Sequence, residues 1–454
     1  MQEDFAGFLP MGTKEAKAGA PHLAEAIFHT FCPGVNTGRD IVAYDFSRLN
    51  LRKEVKDHVD AFNSEVERFQ REGMPNNIDD FVDYEKLKWS ERHKDQLKSG
   101  KKVSFDQRHE RSALYRPFSK RWLYLDSAVV NRPGQFHLFF PMPESPNLLI
   151  VVSESGHRVG FALLATDCVA DLHALSSDGF QCFPLYVYNA DGTNRRENVT
   201  DWALGQFRAA YGPDVTKEDI FYYVYALLHH PEYRTRYAEN LKRELPRVPL
   251  VTMPTSPPAP SPGQSFLLGE GGSDAGSPFP VRDERPHPEG TRGLGERLAE
   301  VSESLADSDL PRPAGAGGWE ILTATGRALA ALHVGYETVR EYPLGQSVNR
   351  DVPFTWRVTK MKLNKDAGSI AINDALTLTG IPAEVFDYKL GNRSALEWVV
   401  DQYQVSKDKR TGMVSDPNRD DDPEYIARLV RKVVTVSVET VQLVQRIAAV
   451  PHGT

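Results

Sequence analysis

Residues 216–250 read TKEDIFYYVYALLHHPEYRTRYAENLKRELPRVPL, and this stretch decides how the rest of the chain is arranged. Thr216 followed by Asp219 has the form of a capping box, which predicts that a helix begins there. Because His230 precedes Pro231, the helix is expected to end at that point. The apolar side chains between these limits recur at helical spacing and form one stripe, made of Ile220, Tyr223, Val224, Leu227 and Leu228.

A second helix is predicted directly after this break. Pro231 suits the first turn of a helix, and Tyr233, Tyr237 and Leu241 then fall on one face. Two short amphipathic helices cannot bury their apolar stripes alone. Residues 201–250 are therefore predicted to form a helical hairpin that docks on something larger.

The composition is that of an ordinary folded protein. The chain has 454 residues, of which 40% are hydrophobic, and a net charge of -8. This charge excludes a wholly basic nucleic-acid coat but allows a local basic face. Cys32, Cys168 and Cys182 are widely spaced, so neither a disulfide framework nor a zinc module is predicted. With no apolar run long enough to span a membrane and no signal peptide expected, the predicted setting is cytoplasmic.

Residues 101–121 are the basic part of the chain, with seven Lys or Arg against two acids and with aromatic residues interleaved. Arginine forks suit phosphates and guanine edges, and aromatic rings suit base stacking. A solvated basic edge is the simpler alternative. The DNA contacts predicted in this region are Arg108, Arg111, Arg116, Lys120, Arg121, Arg132 and Gln135.

The second half of the chain contains a further group of candidates. Phe354, Trp356 and Val358 alternate as in a strand, and three lysines lie on or after it. Asn392 and Arg393 precede a second capping box, where a helix N-terminus would favour a phosphate. The DNA contacts predicted here are Lys360, Lys362, Lys365, Asn392 and Arg393.

These patterns predict an α+β fold with mixed β-rich recognition lobes and helical spacers. The lobes are joined by a Pro-, Gly- and Ser-rich insert that is predicted to be disordered, because it has few large apolar residues. The predicted parts are a helical region (1–100), a β-rich lobe (101–200), the helical hairpin (201–250), the insert (251–318) and a second α+β lobe ending in a helix (319–454).

The nearest approach to a catalytic motif is Asp351-Val352-Pro353-Phe354. It approaches the acid/amide-Pro-Pro-aromatic loop with which adenine methyltransferases hold a flipped base. Val352 stands where proline is usual, and a glycine-rich cofactor loop is not found. No catalytic residue and no metal site are therefore predicted.

Seven stretches, in order along the chain, resemble the carboxy-terminal target-recognition region of type ISP restriction-modification enzymes. Those enzymes are single chains with nuclease, helicase, methyltransferase and target-recognition parts. The matching stretches are NTGRD (36–40), YRPF (115–118), QCFPLY (181–186), EYRTRYAENLKRELPRVPL (232–250), GRALAALH (326–333), GNRSALEW (391–398) and TVSVET (435–440).

The resemblance implies sequence-specific DNA recognition that directs methylation and restriction performed by other parts. The implied partners are double-stranded DNA and the methyltransferase and helicase portion, which residues 1–100 would adjoin. S-adenosylmethionine, ATP and Mg²⁺ are expected only in those other parts, and no cofactor is expected in this chain. Two alternatives stay open: an adenine-N6 DNA methyltransferase in its own right, and a protein-interaction adaptor.

Overall fold

The computed structural model describes residues 2–17, 25–73, 75–251, 317–409 and 411–450. Apart from its ends, the insert predicted to be disordered lies outside the described residues. Helices and sheets both occur throughout the described ranges, which confirms the predicted α+β class.

The helices follow the sequence signals closely at several places. In chain order they are α1 (Gln2–Ala6), α2 (Lys14–Lys17), α3 (Asp40–Ala43), α4 (Arg48–Glu72), α5 (Ile78–Phe81), α6 (Glu91–Lys98), α7 (Phe136–Phe139), α8 (Asp201–Tyr211), α9 (Lys217–His229), α10 (Pro231–Arg236), α11 (Ala238–Arg243), α12 (Gly318–Val334), α13 (Ala395–Gln402) and α14 (Tyr425–Ala448). Short 3₁₀ turns span Gln107–His109 and Ala383–Phe386.

The strands are mostly short. They are β1 (Leu9–Pro10), β2 (Cys32–Pro33), β3 (Tyr44–Asp45), β4 (Glu110–Arg116), β5 (Ser119–Tyr124), β6 (Leu149–Ser153), β7 (Leu163–Thr166), β8 (Val169–Ala170), β9 (Phe180–Pro184), β10 (Tyr186–Val187), β11 (Arg196–Glu197), β12 (Arg247–Val248), β13 (Gly345–Val348), β14 (Lys362–Asn364), β15 (Ser369–Ala371), β16 (Leu376–Thr379), β17 (Lys389–Leu390), β18 (Arg393–Ser394), β19 (Ser406–Lys407) and β20 (Val414–Ser415).

Residues 25–200, here called the first lobe, hold two four-stranded sheets. One has the order β2-β9-β6-β7 and is antiparallel throughout. The other has the order β3-β5-β4-β8, in which β8 runs parallel to β4. Since β7 and β8 are separated only by Asp167 and Cys168, the chain passes from one sheet to the other at that turn.

Residues 336–422, here called the second lobe, are built around a four-stranded antiparallel sheet with the order β13-β16-β15-β14. The helix α13 begins at the capping box formed by Ser394 and Glu397, as predicted. The hairpin of β19 and β20 follows α13 and projects toward the first lobe, where it forms part of a cleft.

One hydrophobic core runs through both lobes, and α9 lies at its centre. The capping box of Thr216 and Asp219 is confirmed. The one-sided stripe predicted for this helix is wrong, because every residue from Ile220 to His229 is buried. The reason is that α12, which comes from beyond residues 252–316, packs along α9 on one side while β7 covers another.

The close approach of α9 and α12 depends on a glycine. A Cβ placed on Gly326 would lie 1.9 Å from the carbonyl oxygen of Tyr222. The next residue, Arg327, forms ion pairs with Glu218 (2.7 Å) and Asp219 (3.1 Å). These ion pairs also hold α12 against α9.

An aromatic cluster contacts the residues on either side of 252–316: Val251, which precedes this stretch, and Trp319, which follows it. The ring of Trp319 stacks on Tyr211 at 4.7 Å and on Tyr223 at 5.1 Å between centroids. The hydroxyl of Tyr211 donates to the carbonyl of Val251 at 3.0 Å, and the amide of Val251 donates to the hydroxyl of Tyr223 at 3.0 Å. Val251 and Trp319 are therefore held on the same few rings.

Three predicted elements differ from the structure. The second helix of the hairpin is divided into α10 and α11 at Tyr237, whose backbone is not helical and whose ring packs against Phe5 and Phe8. The apolar run at 159–164 predicts a strand, but β7 begins only at Leu163. The alternating residues 354–358 do not form a strand, because their carbonyls accept hydrogen bonds from asparagine side chains instead.

Candidate nucleic-acid interface

A cleft of about 820 Å³ opens between the two lobes. One wall is formed by residues 36–41 of the first lobe together with Tyr44, Tyr115, Arg116 and Arg121. The opposite wall is formed by residues 401–408 and Ser415 of the second lobe. The cleft is therefore assembled from segments far apart in the sequence.

The floor of the cleft is a fixed polar network in which two of the stretches noted above, 36–40 and 115–118, come together. The hydroxyl of Tyr115 donates to Asp40 Oδ2 at 3.1 Å, and the hydroxyl of Thr37 donates to the same carboxylate. Arg116 Nη1 lies 2.8 Å from Asp171 Oδ1. Burial raises the pKa of Asp171, and the neighbouring Arg116 opposes that shift.

Arg121 has the most unusual surroundings in the cleft. Its guanidinium carbon lies 3.9 Å from the ring centroid of Tyr115 and 4.3 Å from that of Phe46. Within the described ranges it forms no ion pair, and its hydrogen-bond partner is Gln402 Oε1 at 3.4 Å. Burial lowers its pKa from the ordinary arginine value, but an arginine stays charged at neutral pH. The aromatic faces hold this cation in place without neutralising it.

The lining of the cleft carries a small positive balance, with five cations against four carboxylates: Arg39, Lys88, Arg116, Arg121 and Lys407 against Asp40, Asp171, Asp401 and Asp408. Each of its aspartates has a polar partner: Thr37 for Asp40, Arg116 for Asp171, Arg393 for Asp401 and Thr411 for Asp408. Lys88 and Lys407 are exposed and, like Arg121, have no ion pair among the residues that the structure describes. The side chains of Gln402 and Gln404 add amide donors and acceptors on the second wall.

The structure brings two of the predicted first-lobe residues, Arg116 and Arg121, into the cleft. Arg132 is exposed, and its backbone pairs with Asn36 at the rim. Lys120 is mostly buried and pairs with Asp167 at 2.9 Å, whereas Arg108 is 84% exposed and pairs with Asp106 at 2.6 Å. Lys120 and Arg108 therefore lie outside the cleft lining.

Two predicted residues have partners within the first lobe. Arg111 is buried, and its guanidinium donates to the carbonyls of Phe140 at 3.2 Å and Pro141 at 2.7 Å. This arginine is therefore engaged inside the protein, and we withdraw it from the interface. Gln135 is partly buried, and its Oε1 accepts a hydrogen bond from Thr30 at 2.8 Å, so its contact with DNA stays a prediction.

The predicted second-lobe residues do not line the cleft either. Lys360 and Lys362 are exposed beside β14, and Lys365 pairs with Glu397 at 2.7 Å. Arg393 lies beneath the cleft wall, paired with Asp401 at 3.1 Å and 5.0 Å from the Trp398 ring. Asn392 occupies an exposed turn.

The N-terminus of α13 is already occupied by a carboxylate. Glu397 Oε2 accepts hydrogen bonds from both the backbone amide and the hydroxyl of Ser394 at 2.9 Å. A phosphate at the place suggested by the sequence would have to displace this carboxylate or meet its charge. The capping box therefore weakens the argument for Asn392 and Arg393 as phosphate ligands.

Sequence reasoning missed several residues of the cleft. Lys88 and Lys407 of the lining, and Phe46 beside Arg121, lie outside the basic run, and no local pattern distinguishes them. Gln402 ends the helix that begins at the second capping box, and Gln404 follows it. Only the packing of the lobes reveals that Gln402 contacts Arg121 and that Gln404 lines the cleft.

Neither a metal-binding cluster nor a membrane-spanning helix is found among the described residues. They contain no group of three or more His, Cys, Asp or Glu side chains placed to hold a metal ion. No helix within the described ranges combines the length and apolar character needed to cross a membrane.

The fold and the cleft define an α+β module in which two lobes share one groove. The model of the Type ISP C-terminal specificity domain matches residues 26–256 and 309–429. The chain belongs to this family, which confirms the resemblance seen in the sequence. No curated protein matches the chain.

Solved structures with the same fold include three longer chains. A nuclease-deletion mutant of the Type ISP restriction-modification enzyme LlaGI, in complex with a DNA substrate mimic, is 26% identical with a TM-score of 0.73. DrdV in complex with DNA is 27% identical with a TM-score of 0.74. The ATP-dependent Type ISP enzyme LlaBIII bound to DNA, at 24% identity and a TM-score of 0.74, shares the fold.

The relation between the chains is one of part to whole. In each comparison 99% of this chain is covered, but it spans only 34% of the LlaGI chain, 39% of the DrdV chain and 24% of the LlaBIII chain. The activities of those enzymes therefore concern much more polypeptide than is present here.

Proposed function

We propose that this chain recognises a DNA sequence for a Type ISP restriction-modification system and that the duplex contacts the cleft between the lobes. The observation that carries the proposal is that three cations of the cleft lining, Lys88, Arg121 and Lys407, form no ion pair among the described residues. Arg39, a fourth lining cation without an ion pair in the described ranges, is buried and donates to the carbonyls of Lys88 and Val129. Family membership and the DNA complexes of similar enzymes support the proposal.

The cleft contains side chains suited to two tasks, positioning the DNA backbone and identifying the bases. Exposed lysines suit phosphates, which fix the register of a duplex without identifying its bases. Arginine pairs with the edge of guanine and glutamine pairs with the edge of adenine through two hydrogen bonds. We assign Lys88 and Lys407 to the backbone, and Arg121, Gln402 and Gln404 to base edges.

We further propose that methylation and restriction are performed by other parts of the system, with which this chain associates. S-adenosylmethionine, ATP and Mg²⁺ would be bound by those parts. A cytoplasmic setting accords with the three free, buried cysteines.

The proposal is tested by fluorescence anisotropy with labelled duplexes that the chain enriches from a random pool. Arg121→Ala should weaken binding by about 1–3 kcal/mol at the base pair it contacts and leave the salt slope nearly unchanged, because no phosphate contact is lost. Arg108→Ala is the matched control, since that arginine is exposed, paired with Asp106 and outside the cleft. A wild-type chain that ignored every duplex at low salt would refute the function, and equal binding by both variants would refute the site.

A further inference from the structure

The segment 353–358 of the second lobe has no regular secondary structure, but side-chain hydrogen bonds hold its backbone. Asn373 Nδ2 donates to the carbonyls of Thr355 at 2.8 Å and Arg357 at 3.0 Å. Asn418 forms two hydrogen bonds of 2.8 Å with the backbone of Val358, one through each atom of its amide. Two asparagine side chains thus replace the strand partner that the sequence pattern suggested.

This held segment presents an aromatic ring to solvent. Phe354 is 49% exposed, although large apolar side chains are usually covered in a folded protein. Its ring meets that of Trp356 edge to face at 5.0 Å, which fixes its direction. An exposed ring on an ordered backbone loses little freedom when it stacks on a ligand.

The surroundings of Phe354 are cationic. Residues 349–365 contain five Lys or Arg and a single acid, Asp351, in a chain whose net charge is -8. Arg350, Lys360 and Lys362 are exposed and have no ion pair among the described residues, whereas Arg357 is paired with Asp416 at 2.5 Å. A strongly anionic partner with flat apolar faces fits this combination, and a duplex has both properties.

The segment is also continuous with the wall of the cleft. The amide of Val405 donates to the carbonyl of Thr359 at 3.0 Å, and the neighbours Gln404 and Ser406 line the cleft. The Arg357–Asp416 pair makes a second connection, next to Ser415 of the same wall. The cations around Phe354 are therefore joined to a wall of the cleft in which the duplex is proposed to lie.

We propose that Phe354 is an aromatic wedge that enters a base step of the bound duplex beside the cleft. This inference rests on the proposed function. It adds a contact whose strength depends on how easily a given DNA sequence is unstacked and bent. Apolar side chains inserted between base steps partly unstack them and kink the duplex, and the deformation depends on the sequence. Arg350, Lys360 and Lys362 would hold the phosphates on either side.

The test uses the full chain and an enriched duplex carrying 2-aminopurine at successive positions. Phe354→Ala should weaken binding about tenfold, because a stacking contact is lost. It should leave the salt slope unchanged, because no phosphate contact is lost. In the wild type, 2-aminopurine fluorescence should rise at one step on binding, and this rise should disappear in Phe354→Ala. Phe354→Leu should retain part of the affinity.

The control is Tyr84→Ala, which removes an aromatic ring of the same 49% exposure outside the cleft and should alter neither signal. Equal melting temperatures would show that the variants are folded. If Phe354→Ala bound with the affinity and fluorescence of the wild type while Arg121→Ala bound weakly, the wedge would be refuted and the proposed function would stand. If the wild type bound no duplex, both the wedge and the proposed function would be refuted.

Discussion

Gly326 lies against the backbone of Tyr222 so closely that a methyl group on its Cα would approach the carbonyl oxygen to 1.9 Å. We expect Gly326→Ala to lower the free energy of unfolding by about 3 kcal/mol or more, because α12 must move away from α9. Chemical denaturation monitored by circular dichroism measures this change.

The matched control for that substitution is Gly205→Ala in α8. A Cβ at Gly205 meets no atom within 4 Å, and the residue is helical. This substitution should stabilise the protein by about 0.5–1 kcal/mol, because alanine favours a helix over glycine. Equal effects of the two alanines would contradict the account of the α9–α12 contact.

Arg111 should matter for stability and not directly for DNA. Removing its guanidinium in Arg111→Ala leaves buried carbonyls such as those of Phe140 and Pro141 without donors. We expect a loss of about 3 kcal/mol in the free energy of unfolding. Arg108→Ala, at an exposed site in the same basic run, should change it by less than about 0.5 kcal/mol. Normal stability with weakened DNA binding in Arg111→Ala would restore the original sequence prediction.

The shape of the Arg121 side chain, and not only its charge, should determine base preference. Arg121→Lys keeps a cation between Phe46 and Tyr115 but loses the planar fork that makes two hydrogen bonds to guanine. We expect a loss of about 1–3 kcal/mol confined to one base pair, with the salt slope retained. A binding measurement on single-substitution duplexes checks this, and a uniform loss over all duplexes would indicate a phosphate contact instead.

Glu54 should make stability depend on pH. Burial, followed by the nearby charge of Asp45, raises the pKa of Glu54 to about 8 from 4.5. The folded state therefore prefers the protonated carboxyl, and its stability falls as the pH rises from 4.5 to about 8. Glu54→Gln, which mimics the protonated form, should raise the melting temperature above pH 8 and match the wild type below pH 4.5.

The comparison is made at each pH against Glu85→Gln, a substitution at an exposed position. A Glu54→Gln variant whose advantage over the wild type did not change with pH would show that Glu54 is not the group responsible.

The chain should not bind S-adenosylmethionine tightly by itself. The segment 351–354 resembles a methyltransferase loop in the sequence. In the structure its Phe354 is exposed to solvent, and the carbonyl of the next residue, Thr355, accepts a hydrogen bond from the side chain of Asn373. Equilibrium dialysis of the purified chain against S-adenosylmethionine measures this directly. Tight binding would favour the alternative of a methyltransferase in its own right.

Local signals in the sequence were sufficient for many elements. Both capping boxes begin helices where Thr216 and Ser394 indicated, because a cap is formed by residues three apart. The burial of α9 on all sides could not be deduced in this way. The face that seems free in the sequence is covered by α12, which lies more than a hundred residues further along the chain.

The candidate site shows the same division. Arg111 and Arg121 belong to one basic run, and their sequence contexts do not distinguish a core arginine from a cleft arginine. The guanidinium of Arg111 donates to carbonyls of the segment after α7. The guanidinium of Arg121 lies against the ring of Phe46, which follows β3, and the ring of Tyr115 in β4. It also contacts the side-chain amide of Gln402 in the second lobe. These partners depend on tertiary packing, so composition and periodicity could predict a basic face but not its members.

The shared anchorage of Val251 and Trp319 on Tyr211 and Tyr223 has a consequence for how this chain can be engineered. Because both boundaries are fixed on one set of rings, a change in the length of the sequence between them does not have to displace α8, α9 or α12. Residues can therefore be added to or removed from that stretch while the two lobes are kept intact. The sequence between Val251 and Trp319 is therefore also a position at which to insert a reporter protein or an affinity tag.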